Sequence, residues 1–212
     1  MTEPLPPGIA SPEIAGPEIL GHENAYQGFF RIDHYRLRHG LFGGGMSAEI
    51  SREVFERGHA AAILLYDPEL DAVVLIEQFR LPAYLAGFGA SQIEIPAGMI
   101  ESGETPEEVA HREVWEETGL ILLDLLPVRR FLSSPGGSTE TVHMFCGRVD
   151  SSKAGGIHGD ATEDIRVFAL PYADAAALME DGTIANAFTL LALQWLGANR
   201  CELRRRWGTA SP

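Results

Sequence analysis

Gly98-Met99-Ile100-Glu101-Ser102-Gly103-Glu104-Thr105-Pro106-Glu107-Glu108-Val109-Ala110-His111-Arg112-Glu113-Val114-Trp115-Glu116-Glu117-Thr118-Gly119-Leu120 runs from an acidic, glycine-containing loop into a sharply bounded helix. Thr105 with Glu108 three residues on is a capping box, and Pro106 fits the first helical turn, where no amide donor is needed. Gly119 suits a left-handed stop. The spacing therefore predicts a helix over 106–118. Glu113, Glu116 and Glu117 fall at i, i+3 and i+4, which puts three carboxylates on one side. Each like-charge pair costs roughly 0.2–0.5 kcal/mol, and negative charge in the last turn also opposes the helix dipole. Arg112 can offset part of this through Glu116 or Glu108, but one guanidinium cannot neutralise the group. A hard divalent cation, magnesium or manganese, can. A solvated acidic face would have the same helical spacing. The loop before the helix favours the cation, because its free carbonyls can face the carboxylates and Glu104 can brace it.

On either side of this segment the pattern is mixed. Strands are expected at Ala60–Tyr66, Ala72–Phe79, Gln92–Ile95, Val128–Leu132, Thr141–Val149 and Ile165–Leu170. Two helices are expected near Ala173–Glu180 and Ile184–Leu203, with Arg204-Arg205-Arg206 at the carbonyl end of the second. This is an α/β or α+β domain over 59–207. Before it, period-two stretches on either side of Gly43-Gly44-Gly45 predict a hairpin or small antiparallel sheet within 23–58. So few strands are marginal alone and need a partner to pack on. Residues 1–22, rich in proline and without apolar periodicity, read as a loose leader.

Bulk properties narrow the function. The 212 residues are 45% hydrophobic and 22% charged, with a net charge of −14. That charge argues against a general nucleic-acid binder. It leaves room for a small anionic substrate if arginines and bound cations supply local positive charge. The longest apolar run, Ala60 to Tyr66, is too short to span a bilayer. Two isolated cysteines, Cys146 and Cys201, and an N-terminus without export features point to the cytoplasm. Cys146 reads as a buried small hydrophobe, and His59, His111, His143 and His158, which show no ligand spacing, as structural. No Gly-x-Ser-x-Gly surrounds Ser133 or Ser134, which argues against a serine nucleophile.

Gly98, Glu104 and Arg112-Glu113-Val114-Trp115-Glu116-Glu117-Thr118-Gly119-Leu120 together resemble the complete signature box of the Nudix hydrolases. The resemblance implies a Nudix fold, a mixed sheet between helices with an N-terminal antiparallel sheet appended. It implies metal ligation by Glu113 and Glu117, with Glu116 alongside and the carbonyl of Ala97 as a further ligand, for two or three magnesium ions (manganese being the other option). The reaction implied is hydrolysis of a nucleoside diphosphate linked to another moiety.

Beyond the box the chain resembles the bacterial ADP-ribose pyrophosphatases over about residues 25–200. The segments are Gly28-Phe29-Phe30, Arg52-Glu53-Val54-Phe55-Glu56-Arg57-Gly58-His59, Glu77-Gln78-Phe79-Arg80 and Ser134-Pro135-Gly136-Gly137, with Pro135 fifteen residues beyond Leu120. The subgroup implies a homodimer that exchanges the N-terminal sheet, which would supply the partner the hairpin lacks. By the same carry-over Phe29 and Phe30 stack on adenine. Arg52, Glu53, Arg57, Arg80, Met99, Ser134, Pro135, Gly136 and Glu140 contact the substrate. Without the resemblance, Phe29 and Phe30 read as ordinary sheet residues, Arg52 and Arg57 as solvated strand ends, and Ser-Pro-Gly-Gly as a turn. The relatives carry an acidic loop before Glu163-Asp164-Ile165-Arg166-Val167, and here that loop is two residues shorter. Glu163, with Asp160 and Asp164 nearby, is assigned as the base that activates water or as a metal ligand. The expected reaction is ADP-ribose to AMP and ribose 5-phosphate. The alternatives are another nucleoside diphosphate sugar, such as GDP-mannose or ADP-glucose, and a sensor that binds ADP-ribose without cleaving it.

Overall fold

The computed structural model describes residues 14–159 and 162–208. The chain divides into two compact units, Met1–Arg57 with Ser134–Glu140, and Gly58–Ser133 with Thr141–Pro212.

The first unit is an antiparallel sheet of β1 (Glu18–Gln27), β2 (Arg31–Arg38) and β3 (Ile50–Glu56), in the order β1-β2-β3. Its first strand corrects the reading of 1–22 as a loose leader. Glu18 pairs with Arg38 and His22 with Tyr35, so the strand takes up Glu18–His22, while 1–13 lie outside the described residues. β1 is exposed along most of its length and lacks the alternation that marks a half-buried strand. Its order comes from cross-strand polar contacts instead. The His22 ring stacks on Tyr35 at 4.5 Å, and buried Asp33 draws His22 and Arg31 to 3.3 and 2.9 Å. The segment Ser134–Glu140 docks on β3: the Phe55 amide donates to the Gly137 carbonyl, and the Ser138 hydroxyl to the Phe55 carbonyl.

The second unit is built on an eight-stranded mixed sheet. The strands are β4 (His59–Asp67), β5 (Ala72–Phe79), β6 (Ser91–Glu94), β7 (Ala97–Ile100), β8 (Asp124–Leu132), β9 (Thr141–Arg148), β10 (Ile157–His158) and β11 (Ile165–Pro171). The main path is β10-β11-β5-β4-β9-β8, with β6 on β5 and β7 on β4, and β4 with β9 is the parallel pair. Central β4 is buried on both faces, as its unbroken apolar run requires. Its side chains alternate between two cores. Ala62, Leu64 and Tyr66 pack under α3 (Tyr172–Glu180) and α4 (Ala187–Arg206), through Ala175, Leu193 and Leu196. Ala61, Ile63 and Leu65 pack under α2 (Pro106–Thr118), through Val109, Ala110 and Val114. The expected sheet between helices is what forms.

Among the elements that depart from the sequence reading are a strand and a short helix. Ala97–Ile100, read as loop, is a strand because it pairs with His59–Ala62. A short helix, α1 (Leu81–Leu85), follows β5 and buries none of its residues, so it leaves no amphipathic pattern to read.

Asp67, buried at the end of β4, ties the β4–β5 turn to the segment after β9. Its carboxylate accepts from the Glu69 and Leu70 amides and from both the amide and the hydroxyl of Ser151. Burial raises its pKa, but these hydrogen bonds outweigh burial and hold it below the ordinary aspartate value. A carboxylate with a depressed folded pKa stabilises above its unfolded value, and the contribution is lost as pH falls through the folded one. Asp67→Asn is therefore expected to cost about 1–3 kcal/mol near neutrality. Its denaturant midpoint should fall below wild type at pH 7, and the gap should close only at pH values under the unfolded pKa.

Candidate functional site

α2 forms with the boundaries its sequence dictates. The Thr105 hydroxyl accepts from the Glu108 amide at 3.3 Å, the Glu108 carboxylate accepts from the Thr105 amide at 2.8 Å, and Gly119 closes the helix at φ 66°. Because Glu108 turns back to cap the helix, it is not a partner of Arg112, contrary to one of the two pairings expected. Arg112 instead reaches Glu104 at 3.1 Å, Glu113 at 2.6 Å and Glu116 at 3.2 Å, and the Met99 carbonyl at 3.4 Å. Burial works against its charge, but the carboxylates outweigh burial and keep it protonated. Glu104 braces the loop as expected, accepting from the Glu101 amide.

Glu117 is the most buried of the three helix acids and accepts one hydrogen bond, at 3.1 Å, from the Ala97 amide. Ala97 thus adjoins the site, its N–H serving Glu117. Burial, with the charge of Glu113 adding to it, pushes the Glu117 pKa up to about 8, although the Ala97 amide and the charge of Arg80 oppose the rise. Glu113 is raised as well, first by burial, then by Glu116 and Glu163, against the pull of Arg112. Gly98 is dictated by close approach: a Cβ built there would lie 1.7 Å from Glu113 Oε1. A buried and a half-buried acid that repel each other, served by one amide and one shared guanidinium, are short of positive charge. An all-oxygen donor set of this kind fits a hard divalent cation. The acids do not form a closed cage: among the described residues no three acidic, imidazole or thiol groups take up a metal-ligating arrangement. Glu113 and Glu116 are held by Arg112 instead.

A cleft of about 660 Å³ is lined by Glu113, Trp115, Glu116, Glu117, Gly119, His158, Gly159 and Glu163. Glu163, assigned from the shortened loop, therefore does face the helix acids. Asp160 lies outside the described residues, and Asp164 lines a different hollow with Glu77 and Arg166. Sequence reasoning missed His158 and Trp115. In sequence the histidine reads as structural because the histidines show no ligand spacing with one another.

The remaining predicted residues fall elsewhere within their units. Arg80 is paired with buried Glu94 at 2.8 Å and lines a second hollow of about 280 Å³ with Phe88, Gln92, Glu94 and Asn186. Met99 is exposed on β7. In the first unit Phe29 is 84% exposed at the β1–β2 turn, edge-on to Phe30 at 4.8 Å, and Arg57 stands over the Phe30 ring. Arg57 pairs with Glu140 at 3.2 Å. Arg52 and Glu53 are exposed on β3, and Arg52 donates to the Ser51 carbonyl. Ser134, Pro135 and Gly136 form a turn in which the Ser138 amide donates to the Ser134 carbonyl.

Comparison with known proteins matches the NUDIX domain over residues 56–190. The chain is 49% identical over 190 residues to the ADP-ribose pyrophosphatase of Escherichia coli (strain K12), covering 89% of this chain and 91% of that one. It is 39% identical over 155 residues to the GDP-mannose pyrophosphatase of Pectobacterium atrosepticum, covering 71% and 78%. A crystal structure of an ADP compounds hydrolase superposes with TM-score 0.71 at 21% identity, over 94% of this chain and all of that one, a likeness of fold.

The raised pKa of Glu117 carries a stability cost of known sign. A carboxyl whose folded pKa exceeds its unfolded value loses stability as pH rises between the two, here from 4.5 to about 8. Glu117→Gln should therefore raise the thermal midpoint of the cation-free protein at pH 9 by several degrees, with little change at pH 4.5. The same substitution should remove most of the increase in midpoint that millimolar magnesium gives the wild type.

Proposed function

The chain belongs to the Nudix family, and from that premise we propose that it hydrolyses the pyrophosphate bond of ADP-ribose to AMP and ribose 5-phosphate. The observation that carries this reading is the mutually repelling pair of half-buried Glu113 and buried Glu117, facing Glu163 across a cleft. The 49% identity to an ADP-ribose pyrophosphatase supports the substrate. Glu113 and Glu117 would hold the divalent cations, magnesium or manganese and two or three in number, with Ala97 as a further ligand and metal ligation as the alternative role of Glu163. Bound there, the cations supply Lewis-acid polarisation of the diphosphate and offset a protein charge of −14 that would otherwise repel the substrate.

The chain's own groups do the rest. Glu163 accepts the proton of the attacking water, and Glu116 assists beside it. Arg112 pairs with Glu113 and Glu116 and orients both. Arg80, fixed by Glu94, contributes positive charge felt at Glu117. In the first unit exposed Phe29 and half-buried Phe30 offer an aromatic pair for adenine, and Arg52, Glu53, Arg57, Ser134, Pro135, Gly136 and Glu140 are assigned to the substrate, as is Met99 in the second. The protein acts as a homodimer that exchanges β1–β3, it works in the cytoplasm, and its partner is a small nucleotide sugar rather than a nucleic acid or a membrane. No helix of the described residues is long and apolar enough to cross a bilayer.

The 39% identity to a GDP-mannose pyrophosphatase favours one second reading, the same chemistry on another nucleotide sugar. Initial rates with magnesium on ADP-ribose, ADP-glucose and GDP-mannose should place ADP-ribose first in kcat/KM, and a higher value for either of the others would reverse the assignment. Glu113→Gln and Glu117→Gln should each lower kcat by about a thousandfold or more, since several kcal/mol of charge stabilisation are at stake. Near-full activity in both variants would exclude this chemistry. Tight ADP-ribose binding without products would instead mark a sensor.

A further inference from the structure

Among the described residues, His158 is the single imidazole in a cleft otherwise dominated by carboxylates. It belongs to the two-residue strand β10 and pairs with Ile165, the first residue of β11. Ile165 is two residues beyond Glu163. The side chain is fixed from two directions. Its Nε2 lies 3.0 Å from the Gly155 carbonyl oxygen, and a carbonyl can only accept, so Nε2 carries the proton. Another edge of the ring lies against the C-cap of α2, where a Cβ built on Gly119 would sit 2.8 Å from His158 Cε1. Gly119 is two residues beyond Glu117, so the ring touches the very end of the helix that bears the acids. On its other side, a Cβ on Gly159 would lie 2.4 Å from the Glu163 carbonyl oxygen, so the backbone beside His158 is packed directly on the residue to be placed.

The ring thus meets the α2 terminus, and the next residue along the chain, Gly159, meets Glu163. We propose that His158 is a positioning residue: its ring, seated between the Gly155 carbonyl and the bare Cα of Gly119, fixes the segment that presents Glu163 to Glu113 and Glu117. The role assigned to Glu163 rests on the pyrophosphatase reading, whereas the anchoring does not. Loss of the ring removes this anchorage, and a locally less anchored backbone opens more readily. A displacement of about 1 Å in a group that must meet a bound water can cost about a hundredfold in rate.

His158→Ala and His158→Gln separate this role from a general one. The Gln amide can still donate to the Gly155 carbonyl, whereas alanine fills none of the space. In the cation-free protein, hydrogen exchange of the backbone amides over 162–165 should accelerate at least about tenfold in His158→Ala, with the amides of α2 unchanged. On ADP-ribose, kcat should fall about ten- to a hundredfold while KM stays within about twofold, and His158→Gln should restore most of both readouts. Unchanged exchange in His158→Ala, a kcat within twofold of wild type, or a glutamine variant no better than alanine would each overturn the proposal. A wild-type protein inert towards ADP-ribose would count against the pyrophosphatase reading instead, and the exchange comparison would still decide whether His158 anchors the segment.

Discussion

Two carboxylates that repel each other inside a low-dielectric wall are the constraint around which the second unit is organised. Glu113 and Glu117 sit one turn apart on α2, and α2 is pressed onto the central sheet by Val109, Ala110 and Val114. The packing that stabilises the helix therefore also takes the acids out of water. Burial of apolar surface, at about 25 cal/mol per Å², can outweigh an unfavourable pair of charges, and so the core imposes the strain on the site. The neighbourhood is then shaped by what those charges tolerate. Gly98 has no Cβ because Glu113 occupies that space, the Ala97 amide is spent on Glu117, and Arg112 is shared between Glu104, Glu113 and Glu116.

The same constraint explains the division of labour in the sheet. β7 pairs with β4 and so carries Ala97 and Gly98 to the acids, while β10 and β11 bring in the loop with Glu163. β4 needs both faces buried to serve as this platform, and its alternating side chains fill one core under α2 and another under α3 and α4. Three of the four acids of the cleft come from α2, and the fourth, Glu163, from the connection between β10 and β11.

How much of this was legible in the sequence depends on whether the signal was local. The bounds of α2, its capping box and the Gly119 stop are encoded within a few residues of where they act, and they form as read. β4 and β5 announce themselves by apolar runs. What escaped was set by contacts between distant segments. β1 lacks alternation and is ordered by Asp33, His22 and Tyr35 across a hairpin. Ala97–Ile100 looks like a glycine loop until β4 lies beside it. The partners of Arg112 depended on Glu108 being committed to the cap, and His158 reaches the site only because β10 pairs with β11 beneath the end of α2. Glu163 was reachable because the family resemblance supplied the role and the sequence supplied the acid.

If buried, repelling acids are what make α2 a cation site, then occupying it must displace a proton at neutral pH. With Glu117 pushed up to about 8, the group is largely protonated at pH 7 and ionised at pH 9. Calorimetric titration of magnesium or manganese into the wild-type protein, repeated in buffers of different ionisation enthalpy, measures that proton directly. The expected result is saturable binding with close to one proton released per site at pH 7, falling towards zero above pH 9. Binding without proton release at pH 7, or no saturable binding at either pH, would contradict the account.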